Sequence, residues 1–138
     1  MVAAQVEADY GLRVARFRPM ICAVTIGEIQ AFAQQWQTER LKLLDHVLAE
    51  LLVIDINGED VFEAYSHLHK FARDGKELST KGLRGKNMSH NDLWIAAAAC
   101  AVDATVLTTD FDLLRLPEGT VKVIQVNAKT GVTESSTQ

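Results

Sequence analysis

Glu28, Asp92, Asp110 and Asp112 are the residues of this chain whose types and spacing could do chemistry. Asp92 opens an almost wholly apolar run, Leu93-Trp94-Ile95-Ala96-Ala97-Ala98-Ala99, and Asp110 directly follows the strand-like Leu107-Thr108-Thr109. A residue that opens a buried helix sits at the edge of the sheet it packs on, and the carboxyl end of a parallel strand faces that same edge. Glu28, just after the apolar run Met20–Val24, stands at an equivalent point. Acids delivered to one edge repel one another unless a cation neutralises them, and an all-oxygen set suits a hard divalent ion. With Mg²⁺ or Mn²⁺ such a pocket can hold a phosphodiester and lower the pKa of a bound water. That water attacks phosphorus in line while the metal stabilises the departing oxygen.

Each acid also has a purely structural explanation. Thr25-x-x-Glu28 reads as a capping box, in which glutamate satisfies a free backbone donor. Ser89-x-x-Asp92 reads as another, with the acid favoured by the helix dipole. Asp110 starts a turn, as aspartate often does. The conjunction of acids at one edge is what raises the chemical reading above the structural one. The histidines add little. His67 and His69 are two apart on a helix and share no face, His46 is expected to be exposed, and His90 reads as a loop residue beside the pocket. Dinucleotide, P-loop and nucleophile-elbow glycine motifs are absent, and Gly82-Leu83-Arg84-Gly85 alone is a weak match to an RNA-binding loop.

The elements that must position these acids alternate strand and helix, which argues a mainly parallel sheet. Residues 3–12 read as the end of a helix and residues 20–24 as a strand. A helix from Thr25 follows, with Ile26, Ile29, Ala33 and Trp36 on one face, then a second from Thr38 with Leu41, Leu44, Leu48 and Leu51 at helical spacing. Residues 52–56 form a strand closed by the Asn57-Gly58 turn, and the next helix carries Val61, Tyr65, Leu68 and Ala72 in register. Periodicity stops between Asp74 and His90, where Gly75, Gly82 and Gly85 mark a loop. The helix over residues 91–102 is apolar all round, so it is expected to be buried on several sides. Strands over 104–108 and 121–126 follow, bridged by a turn from Asp110 to Pro117, and residues 127–138 are expected to fray as a flexible tail.

One domain over residues 1–138 accommodates all of this. The only cysteines, Cys22 and Cys100, lie in apolar runs and read as small core residues, which fits a reducing compartment and a cytoplasmic location. No apolar stretch is long enough to cross a bilayer, so no membrane partner is expected. The net charge of −4 hides an asymmetry: residues 70–86 hold six basic side chains against two acidic ones, leaving −8 on the remainder. Arg13, Arg16 and Arg18 form a second basic group. An acidic pocket with basic surroundings suits a polyanion gripped beside a metal.

The segments Val24-Thr25-Ile26-Gly27-Glu28-Ile29, Gly85 to Ala97 through Ser89-His90-Asn91-Asp92-Leu93-Trp94, and Leu107-Thr108-Thr109-Asp110-Phe111-Asp112 resemble the acidic motifs of the PIN-domain family, in particular the VapC-like toxins of bacterial toxin–antitoxin pairs. The resemblance spans about residues 20–126. It implies a Rossmann-like α/β fold and a metal-dependent ribonuclease acting on tRNA or other structured RNA, restrained by a small antitoxin. Glu28, Asp92, Asp110 and Asp112 would serve Mg²⁺ or Mn²⁺, with Arg84 and Lys86 on the RNA backbone. The family's first strand and its aspartate have no counterpart, since Asp9 falls within a helix-like run. That strand is central in the family's sheet. Its absence implies either that the remaining strands close the gap or that a second chain pairs there, as in a homodimer. The alternative reading is a catalytically impaired relative that binds RNA or a protein partner.

Overall fold

The computed structural model describes residues 18–74, 88–116, 119–130 and 133–137. In chain order the elements are β1 (Met20–Cys22), α1 (Ala23–Ala33), α2 (Thr38–Ala49), β2 (Leu52–Ile54), α3 (Glu59–Asp74), α4 (His90–Ala101), β3 (Thr105–Thr108), a 3₁₀ turn (Asp112–Arg115), β4 (Lys122–Val126) and β5 (Thr133–Thr137). This is the expected strand–helix alternation. β1 pairs parallel with β2 and β3 pairs parallel with β4, as βαβ connections require.

The mainly parallel α/β arrangement is as expected; among the described residues its strands fall into two groups, β1–β2 and β3–β4–β5. The residues in which a first strand would be sought lie outside those described. Two expectations are corrected. The tail read as frayed contains β5, which pairs antiparallel with β4 across a bulge at Gln125 and Val126. Its Thr and Ser residues gave no apolar alternation to read, but β-branched threonine suits a strand. Cys100 is exposed, whereas Cys22 is buried. The expected loop holding Arg84 and Lys86 lies outside the described residues.

The core sits between α3, α4, the 3₁₀ turn and β4, with Val61, Leu68, Leu93, Leu113, Leu114 and Val123 at its centre. Ala96 and Ala97 are wholly inaccessible, so α4 meets its neighbours through methyl groups and approaches them closely. Burying Leu93 alone contributes ~1.5–3 kcal/mol relative to exposure. α4 also touches α1, β1 and β3, making it the element common to both sheets.

Its ends are sharply defined. Ser89 caps the start, its hydroxyl accepting the Asp92 backbone N–H at 3.1 Å. At the other end Ala104 donates to the Ala99 carbonyl at 2.9 Å and Asp103 to that of Cys100 at 3.3 Å. This is the paired-bond stop in which the intervening residue turns left-handed, and Asp103 takes φ 53° there in place of the usual glycine. The chain is thereby returned straight into β3.

Candidate metal centre and nucleic-acid interface

Glu28 is carried by α1, which begins at once after β1. The helix starts at Ala23 rather than Thr25, with Cys22 at the cap position and no side-chain capping bond. The Thr25–Glu28 capping box is therefore not formed, and Glu28 stands exposed in the second turn, free of the structural duty its spacing suggested. Asp92 lies in the first turn of α4, half-buried, just inside the Ser89 cap. Asp110 follows the end of β3, where its backbone N–H donates to Thr108 Oγ1 at 3.0 Å. Its own carboxylate accepts the Asp112 N–H at 3.2 Å, a local turn that starts the 3₁₀ segment. Asp112 meets Arg115 at 3.8 Å, a half-buried pair one 3₁₀ turn apart that sequence reading missed although Asp112 and Arg115 stand at i, i+3.

The structure brings these four acids into one electrostatic neighbourhood. Asp92 is held above the ordinary carboxylate range, first by burial. A hydrogen bond from the Ser89 side chain works against that shift, and the negative charges of Asp112, Asp110 and Glu28, in that order, add to it. Charges contributed by α1, α4 and the segment after β3 thus converge on one carboxylate. Among the described residues, however, no three His, Cys, Asp or Glu side chains come together closely enough to form a closed metal cage. The donor chemistry still fits a hard cation. Mg²⁺ in particular keeps several of its waters and takes one or two protein carboxylates, so it does not need such a cage.

Two exposed aromatic rings flank the acids, and sequence reading did not single them out. Phe111, between Asp110 and Asp112, is 63% exposed, and Phe32, one helical turn beyond Glu28 on α1, is 83% exposed. Phenylalanine embedded in an acidic turn was the available signal. A third aromatic group lies along the α3–α4 seam. Tyr65 stacks on Trp94 with ring centres 3.8 Å apart, and Tyr65 Oη and His90 Nδ1 share a 2.8 Å hydrogen bond. His90 is thus the first residue of α4, tied to α3, and not the loop residue expected. His46 is exposed, as its position suggested. A cavity of about 360 Å³ opens at the other end of α4, beside Cys100, Asp103 and Lys122, and is lined by none of Glu28, Asp92, Asp110 and Asp112.

A model of the PIN domain matches residues 3–119. No curated protein matches the chain significantly. Among solved structures, VapBC2 from Rickettsia felis, determined bound to a DNA fragment from their promoter, contains a chain that is 22% identical. The match covers 88% of this chain and 80% of that one, with a TM-score of 0.62. VapBC-1 from nontypeable Haemophilus influenzae matches with 17% identity and a TM-score of 0.63, covering 83% and 82%. At these identities the likeness is one of fold.

Proposed function

The chain belongs to the PIN domain family, and from that premise we propose that it is a metal-dependent endoribonuclease of the toxin type, hydrolysing RNA phosphodiesters. The observation that carries this reading is the convergence of negative charge from Asp112, Asp110 and Glu28 on Asp92. Such a cluster is unfavourable for the fold by itself and is made favourable by a bound cation.

Glu28, Asp92, Asp110 and Asp112 would hold Mg²⁺ or Mn²⁺, directly or through water. When bound, the metal would supply a nucleophilic water at neutral pH and charge stabilisation for the leaving oxygen. The chain's own residues do the rest. Ser89 fixes Asp92 at the start of α4, through the cap and a hydrogen bond to its carboxylate. Thr108 fixes the turn carrying Asp110. Phe111 and Phe32 offer exposed rings on which unpaired bases can stack. Arg84 and Lys86 are assigned to the phosphate backbone on charge alone. A small antitoxin protein as partner belongs to the same proposal and is supported by the fold shared with chains of the VapBC structures; action in the cytoplasm is proposed with it. Among the described residues no helix is long and apolar enough to cross a membrane.

One observation favours the second reading, a relative that binds RNA or a protein without cutting. The Asp110 carboxylate is engaged by the Asp112 N–H, Asp112 by Arg115 and Asp92 by Ser89, so three of the four acids already have partners. Cleavage of a mixed tRNA and structured-RNA pool separates the two. Incubation with Mn²⁺, Mg²⁺ or a chelator, beside the Asp92→Asn protein, is expected to give metal-dependent cuts that the variant lacks. Cuts that persist in Asp92→Asn would sink the assignment of that residue. No cuts under any condition would leave the binding reading.

A further inference from the structure

The seam between α3 and α4 is locked by flat rings. Tyr65 and His69, one turn apart on α3, interleave with Trp94 and His90, one turn apart on α4. Tyr65 stacks on Trp94 with the planes 17° apart, and His69 stacks on both Tyr65 and His90, at 5.8 and 5.7 Å. Phe62 closes the row, meeting Trp94 edge-on at 6.2 Å. Helix packing alone would be served better by apolar rings, because each imidazole brings two polar nitrogens to the seam. His90 is exposed, yet stacked on one face and hydrogen-bonded at one edge, so its ring cannot turn without breaking a contact.

That hydrogen bond decides what the opposite edge of the ring offers. Among the described residues the Tyr65 hydroxyl has one partner, His90 Nδ1 at 2.8 Å. A hydroxyl proton needs an acceptor, and Nδ1 is the one in reach. With Nδ1 accepting, the proton of the neutral imidazole sits on Nε2. Nε2–H is then a donor held at the surface, with no partner among the described residues.

Position names the acceptor. His90 and Asp92 both lie in the first turn of α4, about 200° apart around its axis. Their side chains leave opposite sides of one helix end. The acids on the Asp92 side repel every phosphate that no cation accompanies, so a strand presented there needs its neighbouring phosphates held by donors outside the cluster.

We propose that His90 is a substrate-contacting residue, its Nε2–H donating to a phosphate of the RNA strand beside the one presented to the acids, with the strand passing over the start of α4. Tyr65 is its positioning residue and acts on RNA only through His90. The proposal rests on the reading of this chain as an RNA-binding PIN domain.

Fluorescence anisotropy of a labelled single-stranded RNA of mixed sequence tests it, with the full chain in chelator so that no strand is cut. Two amides separate the ring nitrogens, since a glutamine side-chain nitrogen falls near Nε2 and an asparagine one near Nδ1. His90→Ala and His90→Asn are expected to bind about tenfold more weakly than wild type, and His90→Gln within about twofold of it. Tyr65→Phe keeps the stack on Trp94 and loses only the hydroxyl. It is expected to weaken binding about threefold when His90 is present and not at all in His90→Ala. A packing role for Tyr65 would instead appear equally in both backgrounds, and circular dichroism checks that each variant is folded. A wild type that does not bind RNA, His90→Ala binding as wild type does, His90→Asn matching His90→Gln, or a Tyr65→Phe effect that persists without His90 would each overturn the proposal. RNA that binds in the expected pattern but is never cut would support it and remove the nuclease reading. Metal-dependent cutting with binding unmoved by these variants would remove the proposal alone.

Discussion

Replacing Ser89 with alanine tests how one small side chain serves both the fold and the acidic cluster. The hydroxyl does two things. It accepts the Asp92 N–H at 3.1 Å, capping α4, and it hydrogen-bonds the Asp92 carboxylate, the one influence that lowers that group's pKa. Loss of the cap costs about 1 kcal/mol, which for a domain of this size lowers Tm by about 3–4 °C. That part is independent of pH. The second loss is not, because the bond stabilises the ionised carboxylate. Without it, Asp92 moves further above the ordinary carboxylate range than it already stands. The variant's deficit is therefore largest at neutral pH, where Asp92 is ionised, and shrinks towards the cap contribution as pH falls through its raised pKa. Urea unfolding of both proteins with chelator present, at neutral pH and again at mildly acidic pH, reads the two contributions separately. An equal deficit at both pH values would refute the link between Ser89 and the carboxylate. A deficit below about 0.3 kcal/mol at both would refute the cap itself.

Asp92→Asn should remove metal-dependent cleavage yet raise thermal stability in chelator at neutral pH. Burial and three neighbouring charges disfavour the ionised form, and the advantage should fade as acid protonates the wild-type residue. A variant less stable than wild type at neutral pH would count against this. Ala97→Leu places a larger side chain where α4 is wholly inaccessible and should cost ~1–3 kcal/mol by urea midpoint; an unchanged midpoint would mean that α4 is loosely packed. Phe111→Ala should raise KM for an unpaired RNA about fivefold, with kcat little changed, at the lower end of base stacking. A purely structural role for Phe111 would instead appear as a lower Tm with KM intact.

Much of this was legible in the residues. The apolar run after Asp92 located α4, and Ser89 three residues earlier located its cap, because both signals are local. The alternation of elements was readable for the same reason. What failed depended on neighbours distant in sequence. Thr25 and Glu28 have the spacing of a capping box, but packing begins α1 two residues earlier and leaves Glu28 exposed. Cys100 sits in an apolar run, yet the helix opens onto the cavity beside Asp103 at that point. β5 carries Thr, Glu and Ser, and only its partner β4 makes it a strand. Of the candidate site, the spacing offers the acids whose charges meet at Asp92, but it does not reveal the engagement of Asp110 and Asp112 or the exposed rings beside them.

The position of α4 has a mechanical consequence. Glu28 follows the β1–β2 pair, Asp110 and Asp112 follow β3, and Asp92 rides on the helix that touches both groups of strands. α4 is thus a splint laid across both groups, and a cation shared by the acids would lash them together a second time at the start of that splint. Hydrogen exchange would register this as slower opening at Met20–Cys22 and Thr105–Thr108 together, two strands that do not pair with each other.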